Sequence, residues 1–305
     1  MTYTPKSPLT DSENVTLIKT YRCEEIEEIW NRDFEFDTSK EFEGFEEIEL
    51  YECKDTGLRF FHPFEAEGSA AFYEGMQKTN GYYYDHEKWE FRKSLDWLPR
   101  NEKVLEIGSG NGVFLKIAKQ EGYSITGIEI NNEAVKAAEQ AGLPIQGISL
   151  TQAVNVHAES CSAICSFQVL EHVAHPRGFI ENMLKLLKPG GLLLVSTPNL
   201  AGYLRLYQDT WDLPPHHMSR WTPSTFKSLE RILPIKLEKL LYEPLSAVHM
   251  ETFLEEYTKH FSLTRPSQRL ALNYTTLPIV RKLFKWGLRK CFHGHAILGV
   301  FRKLS

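Results

Sequence analysis

Lys103–Gly112 reads KVLEIGSGNG, and this stretch decides the fold. A short apolar run, Lys103–Ile107, ends abruptly in Gly108-Ser109-Gly110-Asn111-Gly112. The helix-like Val113–Gln120 follows and Gly122 stops it, so the unit reads strand, tight loop, helix. Working outward, Ser124–Ile128 is a second strand with Glu129 at its end. Asn131 or Asn132 can cap a helix that runs to Ala141 and closes at Gly142. Leu143–Ile148 and Ala163–Phe167 read as strands three and four. Pro176 opens a helix whose apolar face is Phe179, Ile180, Met183, Leu184 and Leu187. Lys188-Pro189-Gly190-Gly191 then turns into a fifth strand, Leu192–Ser196. This alternation implies a parallel sheet covered on both faces, with ligands at the carboxyl ends of its strands. The glycine loop and Glu129 both fall at such ends.

Composition frames the rest. The 305 residues are 42% hydrophobic and 25% charged, an ordinary globular balance with room for one large core and a smaller module. No apolar run is long enough to span a bilayer, and the first fifteen residues lack a basic-then-apolar leader pattern. Five cysteines, at 23, 53, 161, 165 and 291, form no even secretory framework, so a reducing cytoplasm is the expected setting. Residues 1–60 carry 16 acids against 7 bases, which argues against a nucleic-acid-binding arm there. Three regions are expected: an acidic, aromatic module over residues 1–75, an α/β domain over 76–305, and a helical insertion at 243–293 before a last strand, Ala296–Arg302.

A glycine loop alone is weak evidence. A dinucleotide site wants a small residue where Val113 stands, which disfavours a nicotinamide-dependent oxidoreductase. The acid at Glu129 suits any adenosine ribose and does not discriminate. The set discriminates: VLEIGSGNG (104–112), Glu129, SFQVLEHV (166–173) and LKPGGLLLVSTPN (187–199), in that order. Over about residues 82–242 this set resembles the class I S-adenosylmethionine-dependent methyltransferases. Within them it is similar to the ubiquinone-pathway O-methyltransferases and the methyltransferases of bacterial glycan clusters. The resemblance implies a doubly wound, Rossmann-like seven-stranded sheet of order 3-2-1-4-5-7-6, with Ile235–Tyr242 and Ala296–Arg302 as strands six and seven.

It also implies S-adenosylmethionine as cofactor. Gly108, Ser109 and Gly110 would bring backbone close to its methionyl part, and Glu106 would accept from its ammonium. Glu129 would take both ribose hydroxyls, with Ile130, Ile148 and Ser149 around the adenine. Phe167 and Gln168 would line the sulfonium side. Lys88 lies where some relatives hold the methionyl carboxylate, and a solvated helix lysine is the alternative.

Transfer to an acceptor needs alignment and a base. His217, or its neighbour His216, in the loop Leu213–Trp221 is the candidate; His172 reads instead as a packed residue of the Leu-Glu-His turn. Some ubiquinone-pathway relatives put a further acid before Leu-Glu-His and hold a divalent metal there. The matching residue is Gln168, a poor hard-metal ligand, so no metal is expected. Sugar C-methyltransferases carry a Tyr-His-Glu-His loop whose last histidine aligns with His217, but the Tyr and Glu positions are Pro214 and His216. Near the N-terminus, Cys53 to Pro63 resembles a zinc ribbon that has lost its second cysteine. Phe72, Tyr73, Tyr82, Tyr83, Tyr84 and Trp89 are candidates to wall the acceptor pocket.

The leading expectation is O-methylation of a small hydroxylated acceptor such as a sugar or glycan precursor. N- or C-methylation and a non-catalytic cofactor-binding protein remain alternatives; His216 and His217 argue against the last. The acceptor and the oligomeric state are open. Pro278–Phe292 sets Ile279, Leu283, Trp286 and Leu288 among five basic residues. A lid helix with that stripe docked inward is favoured over contact with an anionic acceptor or membrane.

Overall fold

The computed structural model describes residues 4–79, 87–205, 207, 209–264 and 276–304; Tyr82, Tyr83 and Tyr84 lie outside them. The N-terminal region contains β1 (Val15–Arg22), α1 (Cys23–Phe34), β2 (Glu47–Cys53), β3 (Arg59–His62) and α2 (Ala70–Thr79). α3 (Trp89–Leu95) leads into the alternating part. That part runs β4 (Val104–Ile107), α4 (Val113–Gln120), β5 (Ile125–Ile128), α5 (Asn132–Gln140), β6 (Ile145–Gln146), α6 (Leu150–His157), β7 (Cys161–Phe167), α7 (Pro176–Leu186) and β8 (Leu187–Pro198). The chain ends with β9 (Ser219–Arg220), α8 (Pro223–Ile232), β10 (Ile235–Pro244), α9 (Met250–Thr264), α10 (Leu277–Lys285) and β11 (His293–Lys303).

The main sheet has seven strands in the order β10-β11-β8-β7-β4-β5-β6. Counted from β4, this is the expected 3-2-1-4-5-7-6. β4 to β8 run parallel, and β11 is antiparallel to both β8 and β10. All seven residues of β7 are buried, as the central strand of a sheet covered on both faces requires. The helix signals act as read. The Asn131 side chain accepts from Glu133 N and Ala134 N to cap α5, and Pro176 occupies the first turn of α7. The Lys-Pro-Gly-Gly turn survives as an excursion within β8. Cys161 faces Leu187 and Ala163 faces Leu192, so the four residues between Leu187 and Leu192 bulge outward.

The second sheet, of order β1-β2-β3-β9, is antiparallel. Alternation along β2 and β3 sends Ile48, Leu50 and Phe61 into a cluster with Ile26, Trp30, Phe72 and Met218. Tyr51, Cys53 and Phe60 go to the other side and join the main core with Trp221 and Phe226. Cys53 of the zinc-ribbon resemblance and the one cysteine upstream of it, Cys23, therefore lie in separate clusters. Cys23 is in the first and Cys53 in the second, where its Sγ meets Thr10 Oγ1 at 3.7 Å.

The insertion departs from expectation. α10 docks through Phe284, Val280 and Leu277, with Phe284 ringed by Phe253 at 6.0 Å and Phe292 at 5.1 Å. Ile279, Leu283, Trp286 and Leu288 are exposed, Trp286 at 75%. The inward stripe is thus a different one. Arg281 pairs with Glu251, and Lys282 stacks over the Trp286 ring. Among the described residues, no helix is long and apolar enough to cross a membrane.

Candidate active site

The donor side is built by the turn between β4 and α4. Gly108, Gly110 and Gly112 all have positive φ, at +72°, +53° and +83°. A Cβ on Gly108 would stand 2.6 Å from Val169 Cγ2, and one on Gly112 would stand 2.5 Å from Leu143 Cδ1. The bare Cα of Gly108 thus makes room for Val169 of the Val-Leu-Glu-His run. The loop is tied to β5 by Gly108 N and Ser109 N, which donate to Ile128 O at 3.0 and 3.2 Å.

Glu129 is buried and occupied. Its Oε2 accepts from Gly110 N at 2.9 Å, and its Oε1 accepts from Ile130 N and Asn131 N at 2.8 Å each. A carboxylate offers about four acceptor positions, so roughly one remains for a ribose hydroxyl without rearrangement. The expectation that Glu129 takes both hydroxyls would need one backbone bond to be given up. Beside it, Ile130 is 66% exposed and presents an apolar flank. Ile148 is half-buried against the core, while Ser149 caps α6 in a reciprocal box with Gln152. The Phe167 ring packs edge-on to Phe114 at 4.8 Å and Phe91 at 5.3 Å. Gln168 has φ +54°, a strained value for a non-glycine, and its Nε2 donates to Glu90 Oε1 at 3.0 Å.

Glu106 Oε2 is buried with no hydrogen-bond partner. Burial pushes this carboxyl well above the usual carboxylate range; the Lys88 charge opposes the shift. A buried acid with an orphaned oxygen is where an ammonium fits. Positive-φ glycines, an acid at the end of β5 and an open apolar flank complete a cradle that fits S-adenosylmethionine. Lys88, half-buried ahead of α3, carries a charge felt by Glu171, His172, His216 and His217 as well as by Glu106.

The acceptor side is the loop between β8 and β9. His216 and His217 are both buried, with rings stacked at 4.4 Å. His172 joins them, its centroid 4.4 Å from His216 and 4.9 Å from His217. His172 is therefore part of this cluster and not merely a residue packing its own turn. His172 Nδ1 bonds His216 O at 2.6 Å, His216 Nδ1 bonds Trp211 O at 2.8 Å, and His217 Nδ1 bonds Asp212 Oδ1 at 3.1 Å. Burial, then repulsion from His172, holds His216 and His217 well below the usual histidine range. Burial takes His172 down to about 4. The N-terminal module closes over them. Trp30 Nε1 donates to Pro214 O at 2.9 Å, and Tyr73 lies edge-on to His172 at 5.6 Å, its hydroxyl donating to His216 O. Phe72 packs 6.3 Å from His216, but Trp89 packs against the core on the other side of the sheet.

Sequence reading missed three groups here, Asp212, His295 and Glu90, and weighed a fourth, Glu171, only as a metal ligand that was not favoured. Asp212, five residues before His217, was legible as a nearby carboxylate. Burial raises its carboxyl, and Arg220 and His295 oppose that. His295 arrives from β11, and nothing local signals it. Glu171 has neither side-chain oxygen partnered and is pushed up to about 8 by burial. Glu90 ties Gln168 to Ser196, whose hydroxyl donates to Glu90 Oε1 at 3.1 Å.

A family model described as a methyltransferase domain matches residues 77–231. The ubiquinone biosynthesis O-methyltransferase of Psychrobacter arcticus is 33% identical over 118 residues, covering 36% of this chain and 46% of that protein. Its counterpart in Actinobacillus pleuropneumoniae serotype 7 is 35% identical over 108 residues, covering 32% and 46%. The chain thus spans less than half the length of these curated relatives. Among solved structures, an S-adenosylmethionine-dependent methyltransferase from Archaeoglobus fulgidus aligns with TM-score 0.47 at 18% identity, over 70% of this chain and 91% of that one. One from Mesorhizobium loti aligns with TM-score 0.44 at 15% identity, over 70% and 97%. The family match takes in the glycine loop, Glu129, the Leu-Glu-His turn and the histidine loop and spans just over half of the sequence, so the chain belongs to the methyltransferase-domain family.

Proposed function

We propose that this methyltransferase passes the methyl group of S-adenosylmethionine to a hydroxyl oxygen of a small acceptor, a sugar, glycan precursor or similar metabolite. The observation that carries the proposal is the buried His217–Asp212 pair, 3.1 Å apart, in the loop that follows β8. The donor brings a methyl group already activated on a positively charged sulfur. The chain's own residues must hold it, orient the acceptor, exclude water and take one proton. Glu129 holds the ribose, the loop over Gly108, Ser109 and Gly110 runs close to the methionyl part, and Glu106 faces the ammonium. Ile130, Ile148, Ser149 and Gln168 border the donor, and Lys88 supplies a positive charge felt on both sides.

On the acceptor side, donation from His217 Nδ1 to Asp212 leaves Nε2 as the accepting nitrogen. As the oxygen–carbon bond forms and the carbon–sulfur bond breaks, the electron pair goes to sulfur and the hydroxyl proton goes to His217. Asp212 stabilises the imidazolium so formed. A small cavity beside His217, bordered by Leu200, Leu204, Asp212 and Arg220, gives that ring open space on one side. Residues 1–75 act as the cover of this side, over a catalytic unit of 76–305. That the curated relatives are named O-methyltransferases supports oxygen as the acceptor atom.

The test has two steps. Mass spectrometry of small molecules co-purified with the protein should find S-adenosylmethionine or its demethylated product. Isotope-labelled donor is then offered with a panel of nucleotide sugars and phenols. A labelled methyl ether supports the proposal; label on nitrogen or carbon overturns the assignment to oxygen, and no transfer to any member overturns this acceptor class.

A further inference from the structure

We propose that His172, His216 and His217 bind a divalent first-row transition-metal ion, with zinc the ion their chemistry suits best. One ring nitrogen from each lies within 4.8 Å of the other two. The rings come from two separate segments, the turn after β7 and the loop before β9, so the fold and not local sequence brings them together. Each Nδ1 is bonded to an oxygen: His172 to His216 O, His216 to Trp211 O, His217 to Asp212 Oδ1. Donation from Nδ1 puts the lone pair on Nε2 in all three rings. Histidines that ligate metals are oriented in this way, with the far nitrogen held by a carbonyl or carboxylate.

Three neutral imidazoles suit zinc, cobalt, nickel or iron better than magnesium or calcium, which take oxygen ligands. With bonds of about 2.0–2.1 Å, nitrogens on a tetrahedral zinc stand about 3.3 Å apart, so the rings need to close by no more than about 1.5 Å. A fourth position stays open for water or an acceptor oxygen. Lys88 and Arg220 oppose a cation here. This site shares only His172 with the acid–Leu-Glu-His arrangement considered from sequence. Gln168 is engaged with Glu90 instead, and the expectation of no metal is replaced.

The inference rests on the same acceptor-side cluster as the proposed base and competes with it: a His217 whose Nε2 ligates an ion cannot take the proton, and the ion would instead hold the acceptor hydroxyl and acidify it, its proton passing to water. Binding is testable without donor or acceptor. Untagged full-length protein is stripped with EDTA, dialysed and titrated with Co²⁺, then Zn²⁺. One ion per chain is expected, with visible cobalt bands of a four-coordinate site that zinc abolishes. His172→Ala and His216→Ala should each lose the bands. Asp212→Asn, which keeps all three rings, should weaken binding roughly 10- to 100-fold. Near-ultraviolet circular dichroism verifies that each variant is folded. No stoichiometric uptake by the wild-type protein overturns the inference, as does uptake unchanged in folded His172→Ala and His216→Ala. Methyl transfer by stripped protein that takes up no ion sinks the metal and leaves the base. One-to-one uptake without transfer to any acceptor does the reverse.

Discussion

Replacing Glu129 by Gln separates the two tasks that the carboxylate performs. Oε1 accepts two backbone N–H groups, so the amide oxygen of Gln can take that place. The amide nitrogen then faces Gly110 N, donor against donor, where a 2.9 Å bond stood. Leaving a buried donor unsatisfied costs about 1–3 kcal/mol, and turning two charge-assisted bonds into neutral ones removes about 1 kcal/mol more. The free protein should therefore lose about 2–4 kcal/mol in urea denaturation. The remaining acceptor position serves the donor's ribose. It lies on Oε2, the atom that becomes the amide nitrogen, so the charge-assisted bond to the ribose is lost at about 1.5–3 kcal/mol, or roughly 10- to 150-fold in affinity by calorimetry. An unchanged denaturation midpoint would show that the carboxylate does not hold the loop. Lost stability with unchanged donor affinity would make Glu129 a structural residue alone and remove it from the ribose site.

Three further outcomes are expected. His217→Ala should lower turnover by roughly 100-fold or more with donor affinity nearly unchanged; the same phenotype in His216→Ala alone would move the role to its neighbour. Glu106, raised by burial, holds a proton that an adjacent ammonium would displace, so donor binding should release a proton and tighten as pH rises. Calorimetry in two buffers of different ionisation enthalpy reads that proton, and a release that persists in Glu106→Gln refutes the assignment. The same raised value means the free protein loses stability as pH climbs above the ordinary glutamate range, because the folded state is the one that keeps the proton. Gly108→Ala meets both a φ of +72° and Val169 Cγ2 at 2.6 Å, so it should cost about 1–3 kcal/mol in urea denaturation, and wild-type stability would refute the packing argument.

The seven-stranded sheet was legible because each of its parallel strands carries its own signal. An apolar run such as Val104–Ile107 ends directly at a glycine, Gly108, and these are local features. β1 was missed for the opposite reason. Of its eight residues only Tyr21 is buried, so it shows no strong alternation. β9 is two residues long and exists only through its pairing with β3. In α10, two apolar rows compete: 279, 283 and 286 share one face, and 277, 280 and 284 share another. Both have helical spacing, and contacts with Phe253 and Phe292 select the second, which no local pattern encodes. The candidate site divides in the same way. The donor loop and the loop histidines are contiguous motifs, whereas His172 beside His216, and His295 beside Asp212, meet only across the fold.

The pairing of β9 with β3 has a consequence for how this protein can be recombined. Arg59 and Phe60 face Arg220 and Ser219, and Phe61 N donates to Met218 O, directly after the two loop histidines. The first sixty residues and the histidine loop are thus halves of one β-sheet, although about 150 residues of donor-binding scaffold separate them in the chain. A cut at residue 75 looks like a domain boundary in sequence, but it would sever that sheet. Chimeras that exchange the N-terminal module between homologues would have to exchange 213–221 with it. Selection for new acceptors would act on the two segments as a linked pair, while the scaffold between them could drift independently.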